Sequence, residues 1–170
     1  AVCGTHGKST TSGWLAHCMD CVEEPVNYIV GADINQLGSS SSTSESDWFV
    51  AEACEYDRSF LNLKPEIACI LNIEQDHLDY YSDIDEIIDA FSEFACNIRP
   101  GGTLVANGQD GNVRKVIEGL SPGIRCLTFG LDDSCSFYAE NIETAEGFTE
   151  FDVYYNKNYL GRTRTALPGE

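Results

Sequence analysis

The residues best suited to chemistry open the chain: Ala1-Val2-Cys3-Gly4-Thr5-His6-Gly7-Lys8-Ser9-Thr10-Thr11. A short apolar strand end runs into a Gly-X-X-Gly-Lys-Ser turn, and a helix-compatible segment follows. In that order Gly4 and Gly7 let backbone N–H groups turn toward an anion, and the helix N-terminus adds the positive end of its dipole. Lys8 brings a point charge for the β- and γ-phosphates, and Ser9 a hydroxyl for Mg²⁺. The first glycine stands two residues closer to the lysine than in the usual G-x-x-x-x-G-K-S/T loop. A plain strand-to-helix connection can carry a Gly-Lys-Ser turn, but strand, loop and helix in this sequence point to a bound nucleoside triphosphate.

Two further clusters share one design, an apolar strand ending in polar groups. Trp48-Phe49-Val50-Ala51 ends at Glu52, whose carboxylate would reach Mg²⁺ if its strand neighbours the first; otherwise it is a surface acid in an acidic chain. Ile70-Leu71-Asn72-Ile73-Glu74-Gln75-Asp76-His77 is the other. The chain has three histidines. His6 falls within the phosphate loop and His77 just past a strand end, which favours a functional role for His77. His17 reads as structural or surface.

The elements that must position these residues alternate, strand then helix, as in an α/β layered domain with a largely parallel sheet. Strands are expected at 1–3, 28–30, 48–51, 67–72, 103–107 and 126–129. The clearest helix spans 84–98, with Ile84, Ile87, Ile88, Phe91, Phe94, Ala95 and Ile98 on one stripe. Ser82 and Asp85 offer a capping box at its start, and Pro100-Gly101-Gly102 ends it. A second helix at 111–120 repeats the stripe with Val113, Val116, Ile117 and Leu120. The last third changes character: 136–142, 148–155 and 159–166 read as a small antiparallel sheet beside the main one, with a hairpin tip at Asn156-Lys157-Asn158. Residues 38–46 are serine-rich and aperiodic, and read as a mobile loop.

Composition narrows the partners. The 170 residues make one good-sized domain, and 42% hydrophobic content supports a buried core. A net charge of −18 with only ten Lys and Arg leaves no basic track for nucleic acid, so an anionic nucleotide must be held locally. The eight cysteines are scattered, several within apolar runs, and Cys18 and Cys21 have no second pair at zinc-ligand spacing. Neither a signal peptide nor a membrane-length apolar run is present, and the reduced cytosol fits best. The chain opens inside a strand without an initiator methionine and closes on the turn Leu167-Pro168-Gly169-Glu170, which reads as one domain of a longer protein.

Three segments taken together resemble the central ATPase domain of the Mur ligase family: Gly4-Thr5-His6-Gly7-Lys8-Ser9-Thr10, then Glu52-Ala53-Cys54-Glu55-Tyr56-Asp57-Arg58-Ser59-Phe60-Leu61, then Leu71-Asn72-Ile73-Glu74-Gln75-Asp76-His77-Leu78-Asp79-Tyr80-Tyr81. The resemblance runs in order across essentially the whole chain, and is to the branch that joins L-alanine to UDP-N-acetylmuramate. It implies a three-layer P-loop-type domain using ATP and Mg²⁺. It places Gly4, Thr5, His6, Gly7, Lys8, Ser9, Thr10 and Asn72 around the nucleotide, Ser9 and Glu52 on one magnesium, His77 on a second, and Lys8, Glu52 and His77 in catalysis. Asn107-Gly108-Gln109-Asp110 resembles the family's segment after the next strand. Cys54 departs from the aspartate of many members without touching the implied metal ligands.

The implied reaction phosphorylates a carboxylate with ATP and lets an amine displace phosphate, so no side-chain nucleophile is needed. In the family the sugar nucleotide and the amino acid are bound largely by N- and C-terminal domains that this chain does not contain. Relatives that reload recycled murein peptide, and a nucleotide-binding module without ligase activity, are the alternatives; folylpolyglutamate-type ligases usually carry Asn where His6 stands. Several relatives also place a carbamylated lysine on the helix after the Asp-His motif. The lysines here are Lys8, Lys64, Lys115 and Lys157, none of them on the 84–98 helix, as in the L-alanine-adding branch.

Overall fold

The computed structural model describes residues 1–77 and 79–166; the turn expected at 167–170 lies outside the described residues, as does Leu78. The apolar runs become strands in the expected order: β1 (Val2–Cys3), β2 (Asn27–Ile34), β3 (Ser39–Ser42), β4 (Phe49–Ala51), β5 (Ile67–Ile70), β6 (Thr103–Asn107), β7 (Arg125–Gly130), β8 (Phe137–Ala145), β9 (Phe148–Tyr155) and β10 (Asn158–Thr165). The helices are α1 (Lys8–Cys21), α2 (Ile84–Cys96) and α3 (Gly111–Glu118), with a 3₁₀ segment at Tyr56–Asn62.

The main sheet has seven strands in the order β1-β5-β6-β7-β8-β9-β10, and β3-β2-β4 form a second sheet. From β1 through β8 each neighbouring pair is parallel. A parallel bridge between Val2 and Glu52 lays the end of β4 against β1 and joins the two sheets. Glu52 therefore does leave its strand beside the phosphate loop, as the reading of a neighbouring strand required.

Helix α2 supplies much of the core. Its stripe of Ile87, Ile88, Phe91, Phe94 and Ala95 is buried, and Phe94 stacks on Phe60 at 4.9 Å while Phe91 meets the same ring edge-on at 5.2 Å. Each such ring removes enough apolar surface from water to stabilise by about 2–3 kcal/mol. Val113 and Val116 of α3 complete this cluster against Leu104 and Ala106 of β6.

Besides α3 ending at Glu118 and β5 at Ile70, each two residues short of expectation, four details differ from the sequence reading. The capping box sits one residue on: Asp83 accepts from Glu86 N, and Glu86 Oε2 accepts from Ser82 N, each at 2.9 Å. Asp85 has one methylene fewer than Glu86 for reaching back to the start of the helix, so the longer side chain closes the box. Helix α2 ends at Cys96, two residues before the expected end. The serine-rich stretch is not all loop, because Ser39–Ser42 pairs antiparallel with β2. The C-terminal strands are antiparallel as expected, but they continue the main sheet, since β8 pairs parallel with β7. The tip at Asn156 and Lys157 has φ of 47° and 66°, the left-handed pair that a type I′ hairpin demands.

Candidate nucleotide site

Built from its residues upward, the loop begins where buried Val2 and Cys3 end β1. Gly4 turns the chain at φ +148°, and a Cβ there would lie 2.9 Å from Leu71 Cβ and 3.2 Å from Asn72 N. Only glycine fits that close approach to the β5 end. The loop is then laced to the same end. Thr5 N donates to Asn72 O at 3.1 Å, and Glu74 N donates to Thr5 Oγ1 at 2.8 Å. The Asn72 side chain takes His6 N at 2.7 Å and gives to His6 O at 3.1 Å. Asn72 thus spends both ends of its amide on loop shape.

Gly7, at φ +80°, starts α1 without a side-chain cap, and the first turn carries no acidic residue. The first-turn amides of Lys8, Ser9 and Thr10 have no intrahelical acceptor, so this end of the helix suits an anion. The helix is seated by small residues: Gly13 packs directly on Ile34, and Ala16 is buried among Tyr28, Val30 and Val50.

Two polar groupings flank that helix end. Ser9 Oγ donates to Glu52 Oε1 at 3.0 Å, while Glu52 Oε2 accepts from Gly31 N at 2.6 Å. A separation of about 3 Å is also that of neighbouring oxygen ligands around Mg²⁺ with bonds of about 2.1 Å, so this donor pair fits the ion. The second grouping centres on Glu55, whose side chain is 2% exposed. Lys8 Nζ lies 2.9 Å from Glu55 Oε2 and 3.0 Å from Oε1, and also donates to Gly4 O at 2.8 Å and Thr5 O at 3.1 Å. The Oε2 contact is an ion pair without hydrogen-bond alignment. His77 Nε2 stands 3.4 Å from Glu55 Oε1, with its ring 5.0 Å from that of Tyr56.

The sequence-selected residues therefore converge on the carboxyl ends of β1, β4 and β5, where ligands gather in open α/β sheets. Lys8, Ser9, Glu52 and His77 make side-chain contacts here, directly or through Glu55. His6 and Thr10 are exposed at the rim, His6 facing Glu74 at 3.7 Å. His17 lies away from the site, its ring 3.6 Å from Cys21 Sγ on the same helix. Among the described residues no group of three or more His, Cys, Asp or Glu could hold a metal by itself.

Sequence reasoning missed Glu55 and Tyr81. One acid among 28 carries no mark of burial, and its signal was only its place three residues past Glu52. Tyr81 is buried and donates to Glu55 O at 2.6 Å; burial pushes its phenol up to about 12. The unassigned segment at 107–110 is a clamp: Asp110 caps α3 through Asn112 N and Val113 N and accepts from Ile73 N at 3.1 Å.

The fold and site define a phosphate-loop α/β domain. The chain belongs to a family described as the Mur ligase middle domain, which it matches over residues 2–170. UDP-N-acetylmuramate–L-alanine ligases from Caldanaerobacter subterraneus subsp. tengcongensis and Caldicellulosiruptor saccharolyticus are 37% and 40% identical to it, over 100% and 99% of this chain. The chain spans 37% of the length of each. A crystal structure of UDP-N-acetylmuramate:L-alanyl-γ-D-glutamyl-meso-diaminopimelate ligase from Neisseria meningitides superposes with a TM-score of 0.84, at 26% identity, covering 99% of this chain and 55% of that one.

Proposed function

We propose that this chain is the nucleotide-binding part of an ATP-dependent carbon–nitrogen ligase of peptidoglycan precursor synthesis, joining L-alanine to the carboxylate of UDP-N-acetylmuramate. The observation that carries the reading is an uncapped helix N-terminus bearing Lys8 and Ser9, with Glu52 on Ser9 and His77 joined to Lys8 through Glu55. The full-length relatives named above support the choice of substrates.

ATP enters as substrate, with its β- and γ-phosphates against the amides of Gly7, Lys8, Ser9 and Thr10. Ser9 and Glu52 would hold one Mg²⁺ and His77 a second, and the ions when bound neutralise phosphate oxygens and orient the transferring group. Lys8 places a positive charge on the γ-phosphate as its bond to the β-phosphate lengthens. The muramate carboxylate takes the γ-phosphoryl group and ADP departs. The amine of L-alanine then adds to the acyl phosphate, and phosphate leaves as the amide forms. Nothing in this sequence of steps asks for a nucleophilic side chain. Among the described residues all eight cysteines are free, which supports a reducing compartment such as the cytoplasm. No described helix is long and apolar enough to cross a membrane.

The Neisseria structure favours a second reading, a ligase that attaches a recycled tripeptide to the same sugar nucleotide. Competition separates the two. With UDP-N-acetylmuramate and ATP, the intact protein should consume L-alanine in preference to L-alanyl-γ-D-glutamyl-meso-diaminopimelate. Preference for the tripeptide would move the assignment, and ligation of neither would overturn it.

A further inference from the structure

We propose that Glu55 is a positioning residue of the phosphoryl-transfer site, a single buried carboxylate that fixes Lys8 of the phosphate loop relative to His77 of the β5 loop. The inference rests on the reading of Lys8 and His77 given above, and adds a residue that the metal and nucleotide set leaves out.

The placement of Glu55 is over-determined. A carboxylate 2% exposed is held in the fold only if positive charge matches it. Its backbone carbonyl accepts from Tyr81 O–H at 2.6 Å and from Arg58 N at 3.0 Å. Tyr81 N in turn donates to His77 O at 2.9 Å, so one buried tyrosine ties the Glu55 and His77 segments together. Just after Glu55 the chain takes two consecutive left-handed residues, Asp57 at φ 51° and Arg58 at φ 59°, and His77 itself sits at φ 53°. Non-glycine residues hold such conformations only where the surroundings enforce them, and they cluster at functional sites. Arg58 is held by Glu86 at 2.9 Å and lies 5.8 Å above the Tyr81 ring.

The consequence concerns Lys8. Its ammonium has three protons to give, and four oxygens stand within 3.1 Å: two of the loop and two of Glu55. Glu55 therefore keeps the lysine pinned over the loop and draws His77 toward the same point. Electrostatic catalysis of phosphoryl transfer depends on charges held in place beforehand, and a misplacement of about 1 Å can cost on the order of 100-fold in rate. A negative charge beside Lys8 also competes with phosphate for it, so Glu55 opposes ground-state binding while it favours transfer. An ion pair that served only the fold would show no such split.

Glu55→Gln keeps the shape and removes the charge. In the intact protein, kcat for ADP formation should fall by about 10- to 100-fold. The Kd of Mg-ATP should stay within about 3-fold of wild type or tighten. Lys8, whose side chain is 14% exposed, should be acylated faster by an amine-reactive ester, read by mass spectrometry. Wild-type kcat, an affinity loss that matches the rate loss, or unchanged labelling of Lys8 would each overturn the proposal. If Glu55→Gln does not fold, Glu55→Asp takes its place: Lys8 protection should persist while kcat falls to an intermediate value, and a wild-type kcat would refute the idea. The labelling arm uses no acceptor substrate. Failure of the wild-type protein to use L-alanine would thus strike the functional reading alone.

Discussion

Replacing Asn72 with alanine removes two hydrogen bonds from the phosphate loop and nothing else that touches it. Its side chain holds His6 N at 2.7 Å and His6 O at 3.1 Å, while its backbone oxygen keeps Thr5 N at 3.1 Å in either variant. Both lost bonds are exposed, so water takes over the freed groups and each is worth about 0.5–1.5 kcal/mol. Together they order the loop by about 1–3 kcal/mol, and at about 1.4 kcal/mol per tenfold the nucleotide should bind about 5- to 150-fold more weakly. The core is untouched, and at about 2–4 °C per kcal/mol for a chain of this size the melting temperature should fall by no more than about 12 °C. Asn72→Asp should be worse than alanine, because it sets a carboxylate against His6 O and near the phosphates. Calorimetric titration of the intact protein with Mg-ATP, repeated with inorganic triphosphate, gives the test. If Asn72 acts by shaping the loop, the alanine penalty is the same for both ligands. A penalty of less than twofold, or one confined to ATP, would refute the reasoning and make Asn72 either idle or a reader of the nucleoside.

Lys8→Ala should abolish ADP formation in the intact protein, whereas Glu52→Gln and His77→Ala should raise the Mg²⁺ needed for half-maximal turnover with sugar-nucleotide affinity unchanged. An unchanged Mg²⁺ profile for His77→Ala would make it a structural residue. Because helix α2 carries no lysine, activity at fixed pH should be indifferent to removal of dissolved CO₂; a loss restored by bicarbonate would place a carbamate on another lysine. Burial raises Cys69 from 9.0 to about 11 and Tyr81 from 10.0 to about 12, so both hold their protons more tightly folded than unfolded. Their contribution is then full below about pH 9 and is lost as pH rises from there to about 12, and urea unfolding at constant ionic strength should follow that slope. Phe91→Ala, at the centre of the α2 core, should cost about 3–5 kcal/mol of unfolding free energy.

The parts of this fold visible in the sequence are those where one local rule decides the outcome. The α2 stripe from Ile84 to Ala95 follows the helical period without interruption, and Thr103-Leu104-Val105-Ala106-Asn107 is strand over the expected range. Ser39–Ser42 became a strand because β2 offered it a partner, which no propensity of serine announces. The joining of β8 to β7 depends likewise on a long-range pairing. At the candidate site, Lys8 and Ser9 open a helix after a glycine turn, and Glu52 and His77 follow strand ends, so local pattern alone singles them out. Glu55 and Tyr81 were not legible, because their importance lies in burial and mutual contact. Where Asn72 was read as a neighbour of the nucleotide, the structure gives it a definite occupation with His6.

The central claim, that the Lys8 loop transfers a phosphoryl group from ATP to a carboxylate, is tested most directly by following oxygen. UDP-N-acetylmuramate labelled with ¹⁸O in its carboxylate, incubated with ATP, L-alanine and the intact protein, should yield inorganic phosphate carrying one labelled oxygen and unlabelled ADP. Unlabelled phosphate, or label appearing in AMP, would contradict the account.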